Sequence, residues 1–174
     1  MPLRVSFSSA LFRTLFGLAA LAHFAAPASA VTIDWVFVGN PGNAPDAPAN
    51  CFQERCGSVG YSYFIGEYEG TNAQYAEFLN TKAAVDPLGL YNAGMGSDPQ
   101  GGITRSGTIG SYVYAVKPGF ADKPVNFVSF YDALRFINWL GNGQGGGDTE
   151  DGAYTLLGGT PTPSNGATIA FKRG

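Results

Sequence analysis

Histidine is almost missing from this chain, and its one occurrence, His23, falls in a leader-like stretch. Residues 1–30 carry Arg4 and Arg13, an apolar run over residues 15–26, and then the small residues Ala28, Ser29 and Ala30. That order predicts a secretory signal removed before Val31. Its apolar run is shorter than the roughly 20 residues of a membrane span, so no stable span is expected after cleavage; a retained anchor is the alternative. Residues 31–174, expected to form one domain, then contain no histidine at all. This excludes a Ser-His-Asp triad, a Cys-His dyad and a histidine zinc site.

Positive charge is scarce too. Without Arg4 and Arg13, eight of the ten lysines and arginines remain against all thirteen acidic residues, a net charge of −5. The eight form no basic cluster, which excludes nucleic acid as a partner. Glycine and aromatics are plentiful instead, with 25 glycines, 13 phenylalanines and 9 tyrosines. Such a chain suits a loop-rich exported domain in which aromatic rings supply the burial that short elements cannot. The expected location is secreted, periplasmic or at the cell surface.

The chain is organised around residues 124–140, PVNFVSFYDALRFINWL. Residues 124–128 read as extended. Ser129 stands at an N-cap position, with Asp132 three residues on as an acidic stand-in for the capping-box Glu. Phe130, Ala133, Leu134 and Ile137 then recur at helical spacing, widened by Phe136, Trp139 and Leu140. Asp132, Arg135 and Asn138 are left as a thin polar edge, and Gly141 is expected to end the helix. A second helix opens at Thr71, where Gln74 completes a capping box. Tyr75, Phe78 and Leu79 are expected to face its core, with Asn72, Glu77 and Asn80 facing out.

Strands are expected over residues 31–38, with Ile33, Trp35 and Phe37 on one face, and over residues 59–68. Shorter strands are expected over residues 111–116, 153–157 and 167–171. Residues 39–50 are a loop on every count. Residues 86–110 are turn-rich and too long for an element, a length usually functional or mobile. No internal repeat is visible.

Two blocks carry a family resemblance. PVNFVSFYDALRFINWL resembles the "PV..VSW.DA..F..WL" signature of the formylglycine-generating-enzyme (sulfatase-modifying factor) domain. EYEGTNAQYAEFL, residues 67–79, resembles that family's "E-V-T-N-x-x-Y-x-x-F", with Gly70 where valine is usual and some local softening expected there. AYTLL, residues 153–157, is similar to its "G-x-Y-x-L". The resemblance spans about residues 31–166 and the N-terminal half of the family domain, and is closest in kind to exported bacterial members that often carry a PEP-CTERM signal. It implies an α+β, C-type-lectin-like formylglycine-generating-enzyme fold with little regular secondary structure, here incomplete.

That family oxidises a cysteine of a sulfatase peptide to formylglycine, using oxygen and copper held by two cysteines, and binds structural calcium. Some members have lost the chemistry and act as binding modules. The family's "LP-x-E-x-E-W-E-x-A" helix, calcium loops and copper cysteines have no counterpart in these residues. No catalytic, cofactor-binding or metal-binding residue is therefore carried over.

The residues themselves offer few alternatives. Cys51 and Cys56 share the C-x-x-x-x-C spacing of the copper pair but precede the first helix, far from the family's position. In an exported chain they read as a local structural disulfide, with free thiols or a metal or redox pair as the alternatives. Asp148, Glu150 and Asp151 gather in the glycine loop of residues 141–152, as a calcium site or as a solvated acidic loop. That loop lacks the G-K-[ST] ending of a phosphate-binding loop. Glu67 and Asp132 read as structural, Glu67 through a hydrogen bond or ion pair near the helix start and Asp132 through capping. Trp35 and Trp139 read as core. Three expectations stand: a sulfatase-modifying-factor-like protein that is not catalytic as given; a lectin-like module binding a peptide or glycan through residues 86–110; or a truncated remnant without independent function.

Overall fold

A computed structural model describes residues 30–51 and 56–172. The signal expected over residues 1–30 lies outside the described residues, apart from Ala30. The architecture is a small α+β domain. Strand β1 (Trp35–Val38) pairs antiparallel with β2 (Tyr63–Gly66), and helix α1 (Asn72–Lys82) follows. Next come a single helical turn, α2 (Gly94–Ser97), and a second antiparallel pair, β3 (Ile103–Ser106) with β4 (Val113–Val116). Helix α3 (Phe130–Gly141) closes the regular part. Two single turns of 3-10 helix, Pro48–Asn50 and Gly166–Thr168, lie in the flanking loops. Among the described residues no helix is long and apolar enough to cross a membrane.

Both long helices begin as their caps dictate. The Thr71 side chain accepts from the Gln74 amide while the Gln74 side chain accepts from the Thr71 amide, a complete capping box. Ser129 accepts from the Asp132 amide at 3.2 Å, and its hydroxyl donates to the Asp132 carboxylate at 2.5 Å. The far end of α3 differs from expectation. The helix runs through Gly141, and the left-handed residue that stops it is Gly143, at φ 84°.

The core lies where α1 meets α3 and the second strand pair. Phe78 is fully buried, with its ring 5.4–5.5 Å from those of Tyr75, Phe136 and Trp139. Each such ring pair adds about 0.5–1.5 kcal/mol beyond the area it buries. Leu79, Met95 and Ile103 complete the centre with no exposure.

Here the structure corrects the sequence reading of residues 86–110. The segment contributes both α2 and β3, and it places Leu90, Met95 and Ile103 in the core. Four residues of strand are too few for a periodic signal, and the surrounding glycines mask them. Conversely, the strands expected over residues 153–157 and 167–171 are reduced to one bridge, Tyr154 with Phe171. Residues 124–128 keep a bridge from Pro124 to Thr71, but Phe127 turns out of the extended region at φ 60°.

Tyr75, Phe78 and Leu79 of α1 and Leu134 and Trp139 of α3 are buried as expected, but the polar positions depart from expectation. On α3 the polar row Asp132, Arg135 and Asn138 is buried, at 7%, 0% and 0% exposure, whereas Phe130 and Ile137 stand at 65% and 40%. On α1, Asn72 is buried rather than outward, donating to the carbonyls of Phe120, Lys123 and Pro124. The β1–β2 pair is a ribbon rather than a buried strand pair. Trp35, Phe37 and Phe64 are each about three-fifths exposed, so Trp35 is not core, unlike Trp139.

Candidate functional site

The inward polar row of α3 builds the neighbourhood of a cleft at the start of that helix. Residues 149–162 contain no helix or strand, so their backbone groups need partners from elsewhere. Arg135 supplies them. Its guanidinium donates to both Glu150 carboxylate oxygens at 2.6 and 3.2 Å, to Asp132 at 3.2 Å, and to the carbonyls of Thr160 and Pro161 at 2.7 and 3.1 Å. Burial alone would weaken its charge, but the Glu150 and Asp132 carboxylates outweigh it and raise the pKa above the ordinary value.

Asn138 does the same one turn on. Its amide donates to Thr149 and Tyr154 and accepts from the Tyr154 amide. Gly152 passes so close that a Cβ there would lie 2.8 Å from the Asn138 oxygen.

With that segment pinned, a cleft of about 540 Å³ opens between it, the loop that follows α1 and the start of α3. Leu88, Phe127, Val128 and Pro161 give it an apolar floor, and Asn92, Tyr131 and Thr162 give it polar points. The Ser129 hydroxyl and the Asp132 carboxylate also line it, but both are engaged, with each other and with Arg135. The Ser129 hydroxyl thus donates to a carboxylate that is itself paired with Arg135, and the arrangement can hold a ligand. Residues 88–92 belong to the loop expected as a contact surface, and they do border this cleft.

The remaining sequence candidates separate. Cys51 and Cys56 are joined in a disulfide with Cα atoms 5.5 Å apart. They therefore offer no thiolate, and this pair does not fit a copper centre. Asp148, Glu150 and Asp151 do not converge: Asp148 caps the Glu150 amide, Glu150 holds Arg135, and Asp151 holds Thr155 and Lys172. The hydrogen bond from Lys172 keeps the exposed Asp151 carboxyl below its usual pKa. Among the described residues no group of three metal-binding side chains gathers, so these acids do not fit a calcium cage. Glu67 is exposed, and its side chain makes no hydrogen bond or ion pair among the described residues; only its amide is used, donating to Asp34.

Sequence reasoning missed Arg135, Asn138 and Asn72 because a polar residue on a helix is taken to face water. The signal available was their position: Asp132, Arg135 and Asn138 lie three apart on one row, beside a segment with no strand to satisfy its own backbone. A further buried carboxylate, Asp86, anchors the other side of the cleft region. It accepts from the amides of Leu90 and Tyr91 and lies 3.7 Å from Arg105. Burial nonetheless pushes its pKa up, only partly countered by those bonds.

No curated protein and no solved structure matches the chain. The profile of the sulfatase-modifying factor enzyme 1-like domain matches residues 48–160. That span includes both capped helices, the disulfide, and Arg135 with its two carboxylate partners. It covers well over half of the sequence, and the chain belongs to the sulfatase-modifying factor enzyme 1-like family.

Proposed function

We propose that this chain is an exported, non-catalytic member of the family, a lectin-like module that holds a peptide or glycan in the cleft at the start of α3. The observation that carries this reading is the cleft of about 540 Å³ at the start of α3, and the chain as given holds both of its cysteines in the Cys51–Cys56 disulfide. The copper- and oxygen-dependent oxidation that the resemblance implies needs a pair of thiolates. A disulfide in so small a loop also suits an oxidising compartment. The cleft supports binding rather than turnover, since its polar groups are neutral or already engaged.

The test is a thiol count on a cysteine-containing sulfatase-type peptide incubated with the protein, copper and oxygen. The count is expected to stay at that of a protein-free control. Repeated conversion of the peptide thiol to an aldehyde by this chain overturns the reading.

A further inference from the structure

The β1–β2 ribbon is the least covered apolar surface of the described protein. Trp35, Phe37 and Phe64 share one face, with the Phe37 and Phe64 rings 5.3 Å apart, and Ile65 stands 53% exposed on the other. Among the described residues the sheet has two strands, so each strand has one open edge there. The register settles what the β1 edge offers. The Glu67 amide donates to the Asp34 carbonyl, which makes 34–67, 36–65 and 38–63 the bonded pairs. The backbone N–H and C=O groups of Trp35 and Phe37 therefore point away from β2, ready for a further strand.

Charge selects the occupant. At the base of the ribbon a cleft of about 390 Å³ is walled by Asp34, Glu69 and Asp122, together with Tyr68. None of these three carboxylates has an ion-pair partner among the described residues, and neither has Glu67. Between residues 30 and 70 the sequence holds one basic residue, Arg55, against Asp34, Asp46, Glu54, Glu67 and Glu69. Lys123, next to Asp122 in sequence, sits over the Phe120 ring at 4.0 Å. A second copy of this chain would bring the same negative charge to the contact, and an anionic lipid surface would be repelled. An extended chain bearing lysine or arginine meets both the open edge and the unpaired acids.

We propose that the β1–β2 ribbon docks an extended cationic peptide segment, which adds a strand to an open edge and sets its basic side chains against Asp34, Glu69 and Asp122. Backbone pairing supplies sequence-independent affinity, the exposed rings bury alternate apolar side chains, and the acids select the sign of charge. This surface is separate from the cleft at the start of α3, so the two readings fail independently.

The probe is a labelled peptide of about eight residues alternating arginine and valine, with a glutamate–valine peptide as its counterpart. Both are titrated into the full chain while anisotropy and Trp35 fluorescence are followed. The arginine peptide is expected to bind and to weaken as salt is raised, while the glutamate peptide does not bind. The double variant D34N/E69Q is expected to lose roughly tenfold in affinity, and Phe37→Ala to lose affinity for the arginine peptide with little change in its salt dependence. Circular dichroism checks that both variants are folded, and the comparison of the two peptides needs no variant at all. Equal binding of both peptides, no binding up to about 1 mM, or a chain that instead self-associates through Phe37 would each overturn the proposal.

Discussion

Arg135 is the side chain on which the lower half of the molecule turns. It is fully buried, shares two carboxylates and closes on two backbone carbonyls, so nothing about it resembles a surface ion pair. Removing one member of such a buried set leaves the others uncompensated, at about 3–5 kcal/mol. Arg135→Ala is expected to lose that much in urea unfolding, whereas Lys172→Ala, at the exposed pair with Asp151, is expected to leave the midpoint in place. Two tyrosines set a different sensitivity. Burial pushes the Tyr114 pKa from 10.0 to about 12, and it pushes Tyr75 further. Their hydroxyls donate to the carbonyls of Ala83 and Leu90. A phenol whose folded pKa lies above its unfolded one keeps its proton longer in the native state. Its contribution is therefore intact below pH 10 and falls away as pH rises through 12, because the unfolded chain ionises first. Unfolding free energies between pH 9 and 12 are expected to drop steeply for the wild type. Tyr114→Phe, weaker at neutral pH by about 1 kcal/mol for the lost hydrogen bond, is expected to show a shallower drop.

At the scale of elements, helix starts and the apolar face of α1 were legible, and the buried polar positions were not. Thr71 with Gln74, and Ser129 with Asp132, are local grammar: the bonds they make reach only three residues. Thr71→Ala is accordingly expected to cost about 1 kcal/mol in thermal unfolding. The buried polar positions depend on partners far along the chain. Asn72 serves carbonyls about 50 residues away, Asn80 exchanges two bonds with Tyr114 of β4, and Asn138 does the same with Tyr154. In a chain with so little sheet, side-chain amides stand in for missing strands, and hydropathy alone reads them backwards. The sharpest check lies on α3. Phe130→Ser, at a 65% exposed position, is expected to change stability by less than about 0.5 kcal/mol. Asn138→Ala, which strands two carbonyls and one amide, is expected to cost about 2–3 kcal/mol. The reverse order would restore the outward polar edge that the periodicity suggested. The same short range explains why β3 was invisible in a glycine-rich segment while the flanking caps were plain.

The molecule as a whole is a capped two-helix core with loops held by side-chain bonds and an aromatic ribbon left open at one end. The family was legible from the capped blocks because they are also its structural centre, and the matched span of residues 48–160 contains them both. Chemistry was legible only as spacing. C-x-x-x-x-C read as a local disulfide, with free thiols or a metal or redox pair as the alternatives, and the structure has the disulfide. The non-catalytic reading of this chain assumes that those two sulfurs are bonded to each other in the native protein, while the docking edge stands on its own observations. The most direct measurement is intact mass after alkylation under native, non-reducing conditions. The account predicts no adduct at Cys51 or Cys56 and a mass below the dithiol form by the pair of hydrogens lost to the bond. Alkylation of both residues without reductant would contradict it.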